Sequence, residues 1–387
     1  MAKKTKALVL SGGGARAAYQ AGVAKAISDI LKKHNRDDEP PFTVFCGESA
    51  GAINAALLAV HVDDFAKGTD ELWRYWNELR MEDIFATSPV ALLTNAGRWM
   101  RELSLGGLLQ TGSAPYLLDA RPLRQYLAPK VDFSRIRKLV REGTLQGLGI
   151  SATSYATGSA ITFYDGASDA KPWARSHRLG VRTEIKLEHV LASAAIPVLF
   201  PPVRIGRCFY GDGSVRLKTP LSPAIHMGAQ QILALGLRYY RTPEQTVEIN
   251  EKAQMKSIAL ADIVGVLLNA GFLDNLDGDI ERLERINHTL SLIPRERHKE
   301  LPNELRPIQA LTIRPSRDLG ELASQELARF NTLIRYLLRG IGTSNQSGSD
   351  LISYLAFDSA YTHELLQLGY ADGWAKEKAL LEFFAGD

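Results

Sequence analysis

Cysteine is nearly absent from this sequence: 387 residues hold two, Cys46 and Cys208, far apart in the chain. That excludes a disulfide framework of the kind that staples small secreted domains. Cys46 lies in an apolar run, so both are read as reduced thiols in a cytoplasmic protein. No group of Cys and His has zinc spacing, and no metal is expected. Charge of one sign is also lacking. The formal net charge is +3, and no block of Lys and Arg stands out, which excludes the electrostatic footprint of a nucleic-acid binder. Long hydrophobic runs are missing too. The first residues, Met1-Ala2-Lys3-Lys4-Thr5-Lys6, are basic, but the apolar Ala7–Leu10 that follows is cut short by glycines. This is too short for a signal peptide, and no later run is long enough to span a bilayer. With 45% hydrophobic and 23% charged residues, the remainder reads as a soluble globular chain. It is long enough for one large α/β domain or two smaller ones.

The stretch from Phe42 to Ala56 organises the reading. Phe42-Thr43-Val44-Phe45-Cys46 is an apolar, β-branched and aromatic run that predicts a buried strand, and Ala50–Ala56 is a small-residue run that predicts a tightly packed helix. Gly47-Glu48-Ser49-Ala50-Gly51 between them has the spacing of a nucleophile elbow. A serine on a sharp strand-to-helix turn presents its Oγ away from the backbone. Glycines at positions 47 and 51 leave space for that turn, and the free N–H groups of the helix favour developing negative charge.

Upstream, Ala7–Leu10 predicts a strand leading into Ser11-Gly12-Gly13-Gly14-Ala15-Arg16. A helix follows, with Val23, Ala26, Ile27, Ile30 and Leu31 on one face. Strand, glycine loop, helix and strand make a right-handed start to a parallel sheet. Gly12, Gly14 and Ala17 formally match a dinucleotide-binding pattern. The second strand, however, ends in the elbow rather than in the acidic residue that would hold a ribose. A P-loop is excluded because no Gly-Lys-Ser/Thr follows. The third reading is an anion hole, in which consecutive backbone N–H groups converge on one oxygen.

A serine hydroxyl needs a base. The eight histidines offer none in a distinct strand-end loop. His177 is flanked by Arg175 and Arg178, and His189 and His226 fall in helical stretches. His288, His298 and His363 lie in polar helical segments, and His34 and His61 at helix ends. Each reads as a surface or packing residue. Asp212 stands between Gly211 and Gly213, just after the apolar Cys208-Phe209-Tyr210. By itself this is a turn aspartate; with the other two motifs it becomes a candidate base.

Taken together, Ser11–Arg16 and Gly47–Gly51 resemble the motifs of the patatin-like phospholipase family. That family carries a glycine-rich oxyanion loop, a GxSxG serine and a downstream Asp-Gly motif completing a Ser–Asp dyad. Tyr210-Gly211-Asp212-Gly213-Ser214 matches the third motif, and Ala192–Pro202 resembles the segment before it. The resemblance spans residues 6–235. Two departures are conservative in size: Ala17 where glycine is frequent, and Ser214 where glycine or alanine is usual. What it implies is a three-layer α/β fold with a mostly parallel sheet and hydrolysis of acyl esters, with phospholipids as the substrate class. It implies Ser49 as nucleophile, Asp212 as base, an oxyanion hole from Gly12, Gly13, Gly14 and Ala50, and no cofactor. Gly47, Gly51, Gly211 and Gly213 would support the motifs. Arg16 would steady the glycine loop, contact a lipid phosphate, or serve in a structural salt bridge. Two alternatives stand beside this: a general carboxylesterase with a histidine base, and a lipid-binding regulatory protein without turnover.

Outside the motifs, Asp64–Met81 predicts a helix with Leu72, Trp73, Trp76 and Leu79 on one stripe. Leu92–Leu109 is apolar, glycine-interrupted and flanked by arginines, which fits a lid, a membrane-touching surface or an irregular buried connection. Tyr116–Leu127 predicts a helix, Leu148–Tyr155 and Ala160–Tyr164 two strands, and Gln231–Leu237 another. Residues 236–387 read as a mainly helical extension containing one more strand, Ile308–Ile313. Helices are expected over Ile258–Asp277 and Ile280–Leu290, a basic amphipathic helix over 316–339, and one or two helices over Leu351–Phe384. Transient contact with a membrane surface is expected; the sequence does not fix an oligomeric state.

Overall fold

The computed structural model describes residues 4–385 apart from 89, 92–93, 96, 99, 102–103, 105–115, 168–169, 253–257, 295, 298–300, 302–304, 326–334, 336–338, 340–341 and 344–347. Among the described residues ten strands form one sheet: β1 (Lys6–Leu10), β2 (Val44–Glu48), β3 (Gly147–Ser154), β4 (Ala160–Gly166), β5 (Trp173–Arg175), β6 (Arg178–Arg182), β7 (Val203–Ile205), β8 (Cys208–Asp212), β9 (Gln231–Leu235) and β10 (Gln309–Ile313). Their order is β10-β9-β1-β2-β3-β4-β6-β5, with β8 attached to β3 and β7 to β8. From β10 to β3 every pairing is parallel. Beyond β3 the sheet is mixed: β4 and β8 both run antiparallel to β3, while β6 is parallel to β4.

The parallel strands are apolar on both faces because both faces are covered. Leu8, Leu10 and Phe45 enter one hydrophobic cluster, whereas Ala7, Val9, Val44 and Cys46 enter another on the opposite face. The first cluster is covered by α1 (Ala18–Lys33), α2 (Ala50–Ala59) and α3 (Phe65–Glu78). Ala224 of the Ser222–His226 helix and Leu276 and Leu283 of the Asn275–Ser291 helix belong to the second. Three layers result, in a mixed α/β fold.

The carboxyl-terminal residues share the first cluster through Leu365, Leu366, Leu380 and Phe383. The Ser359–Ala375 helix lies on α1 at backbone contact. A Cβ on Gly22 would stand 2.1 Å from the Leu366 oxygen, and one on Gly369 would stand 2.1 Å from the Tyr19 oxygen. Tyr19 donates to Asp372 at 3.0 Å, and Tyr370 to Asp29 at 3.0 Å.

Several elements depart from the sequence reading. The helix expected over Tyr116–Leu127 begins only at Arg121. Ile258–Asp277 is interrupted, since one helix ends at Phe272 and the next begins at Asn275. Leu351–Phe384 holds three helices, Ser349–Leu355, Ser359–Ala375 and Glu377–Ala385; Asp358 caps the second by accepting from Ala360 N. Strands β5, β6 and β7 lie outside the strands that the sequence predicts. They are short and carry exposed arginines, so their apolar alternation is weak. Much of Leu92–Leu109 and of the 316–339 stretch lies outside the described residues, apart chiefly from a short helix at Leu319–Ser324.

Candidate active site

Ser49 stands where β2 turns into α2. Its backbone lies at φ 53° and ψ −131°, a region costly for a residue with a Cβ and held only when the surroundings enforce it. Close packing enforces it here. A Cβ on Gly51 would come within 2.1 Å of the Leu10 oxygen, and one on Gly47 within 2.3 Å of the Gly51 oxygen. The Ser49 N–H is fixed by donating to Ser193 Oγ at 2.9 Å, and that hydroxyl donates to the Ser151 oxygen at 2.6 Å. Ser193 is fully buried in the helix Leu187–Ser193. Its only signal in the sequence is one hydroxyl inside a run of alanines, which points to no role.

Sheet register brings Asp212 to the same place. β2 runs beside β3 as far as the Glu48–Ser151 pair. From Ala152 onward that edge of β3 is taken by β8, with Ala152 opposite Asp212. The strand that leads to Ser49 therefore leaves the sheet where the strand that carries Asp212 enters it. Asp212 is held by its own N–H donating to the Ala195 oxygen at 2.9 Å and by its carbonyl accepting from Thr153 Oγ1 at 2.6 Å. Its Oδ1 accepts from Ser214 N at 2.9 Å, whereas Oδ2 is buried without a hydrogen-bond partner. Burial pushes the carboxyl up to about 7, against the lowering influence of the Ser49 hydroxyl and of Ser214. The Ser49 hydroxyl thus lies close enough to the carboxyl to favour its charged form, although no bond of regular geometry joins the two; catalytic hydrogen bonds are often long before substrate is bound.

The glycine loop lies over this pair. A Cβ on Gly12 would meet Ser214 Oγ at 2.2 Å and Ser49 Cβ at 2.7 Å, so only glycine fits between them. Gly14 has φ +59°, and a Cβ there would stand 2.3 Å from the Tyr354 oxygen. The loop is anchored by buried amides. Gln20 Nε2 donates to the Ser11 and Leu235 oxygens at 2.9 and 3.0 Å, Asn54 Nδ2 donates to Gln20 Oε1 at 2.9 Å, and Trp76 Nε1 donates to Asn54 Oδ1 at 2.8 Å. Asn54 is the one polar side chain of α2, which is a legible signal in the sequence, whereas Gln20 stands among the other polar residues of α1. Ala50 opens α2, and the first N–H groups of a helix have no intrahelical acceptor.

Glu48, inside the elbow, is buried as well. Burial first, and then the nearby Asp212, push its carboxyl up to about 8. Arg16 packs away from solvent, with Nε donating to Ser353 Oγ at 2.6 Å, Nη2 to Asp350 at 2.7 Å, and its guanidinium over the Tyr354 ring. It ties the glycine loop to the Ser349–Leu355 helix. Beyond it a polar cavity of about 440 Å³ is lined by Arg16, Arg238 and Arg241, each already paired with an aspartate.

The described histidines are engaged elsewhere. His34 meets Glu377, His61 meets Glu71 and His363 meets Asn77, while His189 Nδ1 accepts from Lys186 N and His226 stacks on Trp173. His177 occupies the β5–β6 turn, and His288 the Asn275–Ser291 helix.

The family model described as patatin-like phospholipase matches residues 8–225. No curated protein shows a significant sequence match. Among solved structures, human GIVD cytosolic phospholipase A2 aligns at 12% identity over 99% of this chain and 60% of its own, with a TM-score of 0.46. VipD from Legionella pneumophila aligns at 13% identity over 94% of this chain and 67% of its own, with a TM-score of 0.31. This chain thus spans about three-fifths to two-thirds of the length of those proteins. The family model covers more than half of the chain, so the protein belongs to the patatin-like phospholipases, a family of lipid-hydrolysing enzymes.

Proposed function

We propose that the protein is a serine hydrolase of acyl-ester lipids, with Ser49 as nucleophile and Asp212 as its base. One observation carries the reading: the buried Asp212 carboxyl, with Oδ2 free of a hydrogen-bond partner, lies beside a serine held in a strained elbow at a helix N-terminus. Ser49 Oγ bonds to the ester carbonyl carbon as its proton passes to Asp212. The oxyanion is held by N–H groups of the Gly12–Gly14 loop and of Ala50; one such donor is worth about 3 kcal/mol. Collapse expels the leaving alcohol, which takes the proton from Asp212. Water then attacks the acyl group, gives its proton to Asp212, and the acid departs as Ser49 Oγ recovers the proton. Phospholipids are the substrate class by family. Arg16, buried and paired, serves the glycine loop rather than a lipid phosphate. Residues 6–235 would carry this chemistry and 236–387 would support it.

The test is turnover of a short-chain p-nitrophenyl ester and a fluorescent phospholipid by wild type, Ser49→Ala and Asp212→Asn. Both substitutions are expected to cost at least about 10³-fold in kcat with the fold intact. An active Asp212→Asn variant would remove the dyad, and an inert wild type would favour lipid binding without turnover.

A further inference from the structure

The Leu260–Phe272 helix is apolar on both sides. Its inner side carries Ala261, Val264, Gly265, Leu268 and Phe272, with Gly265 so close to its neighbour that a Cβ there would stand 2.9 Å from Asp350 Cβ. It also turns large aliphatic residues outward, with Leu260, Ile263, Val266 and Leu267 between 49% and 66% exposed. An ordinary surface helix presents polar and charged residues there. The outward face carries no ionisable group. The helix's one acid, Asp262, is half-buried and accepts from Ala259 N and Gly348 N.

Its position ties this face to the catalytic rim. The inner side packs against the turn Gly213–Val215, which follows Asp212, and against the Ser349–Leu355 helix, which holds Arg16. Asn269 Oδ1 accepts from the hydroxyl of Tyr354, whose backbone oxygen lies against Gly14. Ser49 is only 2% exposed and Asp212 fully buried, so an acyl chain reaches the site from an apolar phase more readily than from water.

We propose that the outward face of this helix is where the protein rests on a lipid surface. A hydrocarbon phase is the partner that an uncharged aliphatic face accepts without unpaired charge, and it is also where acyl-ester lipids reside. At about 1.5 Å per residue the helix is too short to cross a bilayer and lies within the interface. Among the described residues no helix is long and apolar enough to span one. The proposal rests on the lipid-hydrolase reading for its choice of partner, not on turnover.

Binding is therefore read without catalysis, as co-sedimentation of the Ser49→Ala protein with phosphatidylcholine vesicles and with equimolar phosphatidylcholine–phosphatidylglycerol vesicles. Adding Val266→Ser and Leu267→Ser is expected to weaken partition at least about tenfold in both mixtures. Leu292→Ser, on another exposed apolar residue, should leave it unchanged. In the Ser49 background the same pair should lower hydrolysis of vesicle phospholipid and spare the soluble ester. Absence of vesicle binding by the parent, or equal binding by the double variant, overturns the proposal. So does a parent that runs as a dimer and becomes monomeric in the double variant with vesicle binding unchanged, which would make the face a contact between copies. If the Ser49→Ala parent binds vesicles but the wild-type protein turns over no ester, docking stays in place and the hydrolase reading is refuted instead.

Discussion

Two short apolar helices stand at the rim that carries Ser49 and Asp212 and meet opposite surroundings. In α2, Ala50-Gly51-Ala52-Ile53-Asn54-Ala55-Ala56-Leu57-Leu58-Ala59, every residue is buried. In Leu260–Phe272 only Ala261, Gly265 and Phe272 are. Their compositions are alike, and the difference lies in what the small residues do. In α2 they let the backbone press against β1 and the glycine loop, which fixes Ser49. In the second helix they let the inner side press on the Ser349–Leu355 helix, while Leu260, Ile263, Val266 and Leu267 stay outside. Apolar content therefore predicts neither burial nor function; the positions of alanine and glycine decide which side approaches another backbone.

The harshest way to break this comparison is Gly51→Ala. The added Cβ would stand 2.1 Å from the Leu10 oxygen and 2.7 Å from the Ser11 oxygen, both backbone atoms that no rotamer change can move. We expect a loss above about 3 kcal/mol in urea unfolding, or failure to fold. Near-normal stability would mean that the elbow has slack and that its strain is not enforced by packing.

A smaller effect concerns the buried carboxyls of the rim. Burial holds Asp212 at about 7, well above the usual range, so the folded protein binds a proton that the unfolded chain releases. Stability therefore falls as pH rises from the ordinary carboxyl range to about 7 and levels off above it. Glu48, at about 8, adds to the fall in the same direction. Asp212→Asn should stabilise the fold by on the order of a few kcal/mol near pH 8 and hardly at all near pH 4, as read by Tm at both values. An equal change at both would show that charge burial is not the cause. For wild-type turnover of a soluble ester, kcat/KM should rise with pH and level off above about 7, as Asp212 becomes able to accept a proton.

The legibility of the sequence divides along similar lines. Glycine loop, elbow and Asp-Gly turn are local devices whose residue types follow from local sterics, so their spacing and the strands beside them could be read directly. The parallel core was legible because Ala7–Leu10, Val44–Cys46 and Ile232–Leu235 are apolar on both faces. What escaped depends on distant partners. Ser193 acquires its role only when β3 brings Ser151 beneath it, and Gln20 and Asn54 only when α1 and α2 pack together. The arginine-bearing β5, β6 and β7 follow from edge pairing, and the inward turn of Gly265 from the approach of Asp350.

The gentlest probe is Gly271→Ala, on the second helix. Gly271 lies one residue from its end, without positive φ, and a Cβ built there finds no atom within 4 Å. Alanine replaces a glycine that carries excess backbone entropy in the unfolded chain, so stability should rise by up to about 1 kcal/mol. The same chemical change that ruins α2 should thus improve its counterpart. A measured loss would mean that this end of the helix is pressed against another surface in solution, and the contrast between a covered and an open helix would fail at its open side.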